Sequence, residues 1–420
     1  MLKSTITCDM EGVIETFSDG AEQVFGYTPD EVVGKKRVSL FSPGLIVLQN
    51  VEGWLKTARE QKEYVGETVF VRKDGSQFPA KIRITPTFKN GEQIGYCGVT
   101  ETVEYPVDVK INWTTNLVKW LVIMRAPFLT AALMPLFIGG AYAAALLGEA
   151  PFPAFNFTLT VIGVALLHLT ANVFNDYFDW KSGTDQANAS YFLKYSGGSR
   201  AIELGLTDLE GTWKIANGLL AVAVTIGLYL TWQVGWGVLL YGTLGAALGF
   251  FYTAPPVRLV ARHGLGEIAI GLAFGPLITA GTAYVVTGQY DPTWSTFILG
   301  IPVGLLTANI LIINQIPDIE ADASTGKNHL VVTLGKDRTP WLYGGTLVVS
   351  TLIHGWMVLT LPMATTLWWL PFAMSVVYGA YIIRYMVRNL NRRELVHANV
   401  QTILLNIVYG AVFASIIAFF

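Results

Sequence analysis

Cysteine is almost missing from this 420-residue chain: Cys8 and Cys97 are the two it has, both near the N-terminus. That excludes a disulfide framework and a cysteine-based metal site. Charge is scarce over most of the length. Of 28 Lys and Arg residues, 15 fall in residues 1–125 and 13 in the 295 that follow. The formal net charge is −2, so there is no basic footprint and no reason to expect nucleic acid as a partner. Histidine is absent before residue 125, which excludes a His-ligated haem in the N-terminal part. The stretch from Met1 to Thr7 lacks the apolar core of a signal peptide, so the N-terminus is expected to stay cytoplasmic.

What the second part has instead is Leu, Val, Ala, Gly and aromatics in long runs. Runs able to span a bilayer (about 20 residues each) lie near 127–148, 155–175, 213–231, 236–252, 267–286, 296–316, 341–361, 367–386 and 400–419. The expected fold is therefore multi-domain: an N-terminal α/β module, then an all-α polytopic membrane bundle of about nine helices. Charge supports the count. The connections 149–154, 232–235, 287–295 and 362–366 contain no Lys or Arg. Every basic residue after Arg125, Lys194 among them, falls in the alternate connections or at the span ends beside them. The positive-inside bias makes that side cytoplasmic, in a plasma (inner) membrane.

Two acidic stretches close apolar runs on this same side. They are Asn172-Val173-Phe174-Asn175-Asp176-Tyr177-Phe178-Asp179 and Asn314-Gln315-Ile316-Pro317-Asp318-Ile319-Glu320-Ala321-Asp322. Each begins with Asn followed four residues later by Asp, which on a continuous helix shares one face. Carboxylates beside hydrocarbon are expensive, so they mark function more often than decoration. Acids that merely cap helices in water are the plain alternative, but two matched frames at helix C-termini favour a shared site, since the dipole there disfavours anions. Asp176, Asp179, Asp318 and Asp322 are hard oxygen ligands suited to Mg²⁺ carrying a phosphate substrate. Cations and glycines follow them: Asp185, Gly197-Gly198-Ser199-Arg200, then Gly326-Lys327, with Tyr252 to Arg258 in the intervening connection. A glycine pair beside Arg lets backbone N–H groups and a guanidinium approach a phosphate. Glu267 either contacts substrate or bonds to a neighbouring helix, and His168 reads best as a hydrogen-bonded structural histidine.

From about residue 113 onward the chain resembles the intramembrane UbiA-type aromatic prenyltransferases, in particular the branch of the 1,4-dihydroxy-2-naphthoate polyprenyltransferases of menaquinone synthesis. Asn175 to Asp179 with Gly183-Thr184-Asp185 looks like that branch's first motif. Asp318 to Asp322, Gly326-Lys327 and Leu330 to Gly335 look like its second. Tyr252-Thr253, Gly264-Leu265-Gly266-Glu267 and the stretch Trp120 to Arg125 add further likeness. The chain departs from the family where Gly183 replaces a third acid, Pro317 precedes the second motif's first Asp in place of Arg, and His329 replaces Thr. The resemblance implies Mg²⁺ held by Asp176, Asp179, Asp318 and Asp322, which would also be the catalytic set. It implies a polyprenyl diphosphate and an aromatic acceptor as substrates, with Asn172, Asn175, Asp185, Arg200, Tyr252, Arg258, Asn314 and Lys327 binding them. A transporter, or a membrane receptor with an inactive body, is the competing reading.

Residues 1–104 carry strand alternation at Gly12 to Phe17 and hairpin signals at Val65 to Thr85 and around Lys89 to Thr100. They resemble a PAS domain through Asp9 to Gly12, Ala21 to Tyr27, Glu31 to Gly34 and Arg72 to Gly75. Such a module would serve for dimerisation or regulation, or else sense a small ligand. Residues 105–125 form an amphipathic linker (Trp113, Leu117, Trp120, Leu121, Met124) expected at the bilayer surface, and 126–420 the membrane domain.

Overall fold

The structure is a computed structural model that describes residues 3–188, 191 and 197–419. Lys194, counted above among the cytoplasmic cations, lies outside the described residues. The chain divides into two compact units.

The first unit is built on a five-stranded antiparallel sheet of order β2-β1-β5-β4-β3, with β1 Lys3–Asp9, β2 Ile14–Phe17, β3 Tyr64–Val71, β4 Gln77–Lys89 and β5 Glu92–Thr102. Burial alternates along β4, where Phe78, Ala80, Ile82 and Ile84 face inward and the residues between them face out, so one face of the sheet is a core. Phe25, Phe41, Phe70 and Phe78 fill it in edge and tilted contacts. Asn90 and Gly91 both take positive φ, which turns β4 into β5. The helices between β2 and β3 include Asp19–Phe25, which is capped by the Ser18 hydroxyl and ends on Gly26. β1 carries no turn signal of its own. Two further segments, Gln186–Ala189 and Ser199–Gly211, belong to this unit although they are remote in sequence. The linker forms the helix Trp113–Ile123, with Trp113, Leu117, Trp120 and Leu121 exposed.

The second unit contains nine apolar helices among the described residues. Eight are long enough to cross a membrane: Ala126–Leu147, Ala154–Ser182, Leu209–Val234, Leu265–Thr287, Ser295–Asn314, Lys336–Thr360, Thr366–Asn389 and Leu395–Phe419. Gly237–Thr253 is shorter and lies between the third and fourth of these. All nine coincide with the apolar runs. The helix Ser295–Asn314 is the core of the bundle, and small residues bring its backbone against a neighbour. A side chain at Gly304 would meet the Gly271 carbonyl oxygen at 2.2 Å, and one at Gly275 the Gly300 carbonyl oxygen at 2.3 Å. Polar links cross the interior. Asn406 Nδ2 donates to Val303 O at 3.3 Å and Thr307 Oγ1 at 3.1 Å, and His354 bonds through Nδ1 to the Tyr409 hydroxyl at 2.6 Å.

One local expectation fails. Asn314, Asp318 and Asp322 do not share a helix face, because Ser295–Asn314 ends where Pro317 would remove the next ladder donor. Three-residue turns follow (Asp318 N–H to Gln315 O, 3.2 Å), and a new short helix, Ile319–Ser324, begins at Asp318. The dipole argument therefore reverses for the second stretch: Asp318 and Asp322 sit at a helix start. The first stretch is as expected, inside the last turns of Ala154–Ser182, which closes on left-handed Gly183.

Candidate active site

The two acidic stretches meet within the second unit. Lys327 Nζ stands 2.8 Å from Asp179 Oδ2 and 3.7 Å from Asp322 Oδ1, so one ammonium joins both. A second tie is the hydroxyl pair Thr184 Oγ1 and Thr325 Oγ1, 2.9 Å apart across 141 positions. Asp176, Asp179, Asp185 and Asp322 are all buried. Burial opposes the charge of Lys327, but Asp179 and Asp322 outweigh it and raise the pKa of the ammonium. Burial likewise pushes Asp322 up, yet Lys327 and His329 hold it below the usual carboxylate range.

The glycine pair closes the other side. Gly197 N–H donates to Asp318 Oδ2 at 3.0 Å. Gly198 has φ +78°, and a Cβ there would lie 3.0 Å from Asp176 Oδ1 and 3.3 Å from Asp185 Oδ1. The missing side chain thus keeps clear a point flanked by two carboxylates. Among the described residues no three acids or histidines gather at metal-ligating distance. The four predicted ligands do not form one cage; Asp176 is set with Asp185, and Asp179 with Asp322 across Lys327. This fits Mg²⁺, which takes one or two carboxylates and completes its shell with phosphate and water.

The other expected residues are placed as follows. Asn175 Oδ1 accepts from Arg125 Nη1 at 3.1 Å, and the same nitrogen lies 3.8 Å from Asp176 Oδ1. Asn172 Nδ2 donates to the Met124 carbonyl, in the turn before the first span, at 3.3 Å, and Asn314 Oδ1 accepts from Asn399, on the last helix, at 2.7 Å. Tyr252 lies in the electrostatic neighbourhood of Lys327, Glu267, Asp179 and Asp322. Arg258 lines a cavity of about 340 Å³ with Arg262, His263, Gly326 and Asn328. Arg200 belongs to the first unit, where it pairs with Glu203 at 3.1 Å. Glu267 takes the structural option, accepting from Leu330 N–H at 3.0 Å. His168 is buried edge-on to Phe274, but among the described residues its Nδ1 has no hydrogen-bond partner, contrary to expectation.

Sequence reasoning missed Arg125 and His329 as site residues. His329 Nδ1 accepts from Val332 N–H at 3.2 Å, which leaves the proton on Nε2 to donate to Asp322 Oδ2 at 2.9 Å. Its place two residues after Lys327 was visible; the reach back to Asp322 was not.

The UbiA prenyltransferase family profile matches residues 132–408, and a PAS domain profile matches residues 3–103. The chain belongs to the UbiA prenyltransferase family and carries a PAS domain at its N-terminal end. It is a multi-pass membrane protein. A 2-carboxy-1,4-naphthoquinone phytyltransferase of Synechocystis is 29% identical over 217 residues, 51% of this chain and 66% of that protein. A 1,4-dihydroxy-2-naphthoate octaprenyltransferase of Bacillus subtilis is 23% identical over 287 residues, 68% of this chain and 88% of that one. The Mycobacterium tuberculosis protein of the same description is 29% identical and is covered to 80%, over 59% of this chain. In structure, a UbiA homolog from Archaeoglobus fulgidus bound to GPP and Mg²⁺ superposes with a TM-score of 0.53 at 16% identity. That match covers 71% of this chain and 99% of the homolog. At that identity the match speaks for the fold.

Proposed function

We propose that this UbiA-family protein transfers a polyprenyl group from an allylic diphosphate to an aromatic quinone precursor, 1,4-dihydroxy-2-naphthoate or a close relative. The observation that carries this reading is Lys327 joining the two acid motifs through Asp179 and Asp322. The names of the relatives favour a naphthoate acceptor; octaprenyl and phytyl donors among them leave the chain length open. The site would face the cytoplasm from the inner membrane, with residues 105–125 as a surface linker between a 1–104 regulatory module and the 126–420 catalytic body.

Asp176, Asp179, Asp318 and Asp322, with Asp185, are the residues that would hold Mg²⁺. When bound, Mg²⁺ supplies the charge that neutralises a departing diphosphate. Lys327 and Arg125 add fixed positive charge beside the acids, and Arg258 would contribute a further cation. The allylic carbon–oxygen bond breaks, its electron pair leaves with diphosphate, and an electron-rich ring carbon attacks the allylic cation. The ring regains aromaticity by losing H⁺ or CO₂ from that carbon. Gly197 N–H holds Asp318 in position, and the buried setting strengthens each of these interactions.

Purified protein, Mg²⁺ and a polyprenyl diphosphate should release diphosphate with dihydroxynaphthoate and not with hydroxybenzoate or homogentisate. Turnover with hydroxybenzoate alone would overturn the acceptor assignment. His329→Thr separates two roles, since Thr can still cap Leu330–Leu334 but cannot reach Asp322. Loss of the bond to buried Asp322 should cost about 1–3 kcal/mol, while Mn²⁺ affinity, read by electron paramagnetic resonance, should fall about 10-fold or more. Unchanged Mn²⁺ binding would remove His329 from the site.

A further inference from the structure

We propose that the PAS fold is the platform on which the two described ends of the connection between the second and third spans are held, so that the state of the PAS domain sets how tightly the site binds diphosphate. The inference rests on the prenyl-transfer reading for its consequence, but on separate contacts for its existence. Two pieces of the connection between the second and third spans, Gln186–Ala189 and Ser199–Gly211, are part of the PAS-containing unit. Within that unit Lys36 Nζ donates to Gln186 O at 3.3 Å. Gly44, at the start of a one-turn helix, lies so close to the second piece that a Cβ would meet Leu204 O at 2.3 Å and Leu206 Cδ2 at 2.7 Å. Leu206 is buried, and the turn carrying it is closed by Leu204 N–H to Arg200 O and Leu206 N–H to Ala201 O, both 2.9 Å.

The covalent chain converts these contacts into control. Asp185 immediately precedes Gln186, and Gly198 immediately precedes Ser199. Asp185 and Gly198 are the residues set against Asp176 in the second unit, and Gly197 holds Asp318. The Gln186 anchor is therefore one peptide unit, about 3.8 Å between Cα atoms, from Asp185, and the Leu204 anchor is six residues from Gly198 along the chain. The route from Gly44 to Gly198 runs along residues 199–204, where the turn closed on Arg200 and Ala201 stiffens it. The small side of Gly44 is needed for this: the obstacle to a Cβ is a backbone oxygen, which cannot turn aside as a side chain could.

The test uses full-length protein in nanodiscs, with Gly44→Ala and Leu206→Ala compared with the unaltered chain. Hydrogen exchange at the Leu204 and Leu206 amides should accelerate about 10-fold in both variants, with β4 and β5 amides unchanged. Mn²⁺ affinity and the KM for prenyl diphosphate should weaken by about 10-fold, with kcat changed less. Accelerated loop exchange with unchanged Mn²⁺ affinity and KM would overturn the coupling, and unchanged loop exchange would overturn the platform. If Gly44→Ala also loosens β4 and β5, Leu206→Ala, outside the PAS fold, decides. Coupled loop exchange and Mn²⁺ affinity in a protein that releases no diphosphate with any acceptor would sink the prenyl-transfer reading and leave the platform standing.

Discussion

Asp318→Asn and Asp176→Asn will each lower diphosphate release by about 10²- to 10³-fold or more, while the protein remains folded. Asn keeps the shape of Asp and, at Asp318, an oxygen able to accept from Gly197 N–H, so packing is preserved. What is removed is one negative charge from a set that would be shared with Mg²⁺ and a polyanionic substrate. Ground-state binding and leaving-group stabilisation both depend on that charge. Release measured by a coupled phosphate assay should collapse, and Mn²⁺ binding should weaken in parallel. Wild-type turnover in both variants would mean that the acids are structural caps.

Lys327→Met will have the largest effect on stability. The ammonium lies in a buried setting between Asp179 and Asp322, and Met retains the stem while deleting the charge. Two carboxylates are then left close together without their counter-ion, and breaking a buried pair in this way costs about 3–5 kcal/mol. The pH dependence follows from Asp322, whose pKa is lowered in the folded protein. A depressed carboxylate contributes stability above its unfolded pKa of about 4 and loses it as pH falls through the folded value. In the variant that depression is largely gone, so its deficit relative to wild type is full from neutral pH down to about pH 4 and shrinks as pH falls below that through the folded value. Thermal unfolding in detergent across that range measures it. A deficit that stays constant across the whole pH range would show that Lys327 acts through packing alone.

The spans were legible because crossing a bilayer constrains composition locally: about 20 apolar residues declare themselves whatever surrounds them. The PAS hairpins were legible for the same reason, through alternation and turn residues such as Asn90-Gly91 and Asp74-Gly75. The family motifs drew attention to the acids and Lys327. The break after Asn314 could have been read from Pro317 but was overridden by the appeal of an i, i+4 frame. The partners of individual side chains were out of reach. Asn314 meets Asn399 across 85 positions and Arg125 meets Asn175 across 50, and no local pattern encodes such distances. The assignment of 186–189 and 199–211 to the PAS-containing unit was equally invisible, since nothing in those residues names the surface they pack against.

The joint at Pro317 also separates two tasks. Because the column stops at Asn314, the aim of Asp318 and Asp322 is fixed by their own ties, Gly197 N–H to one and His329 Nε2–H to the other, and not by the column's pitch. Substitutions that retune the apolar column need not turn the carboxylates with it.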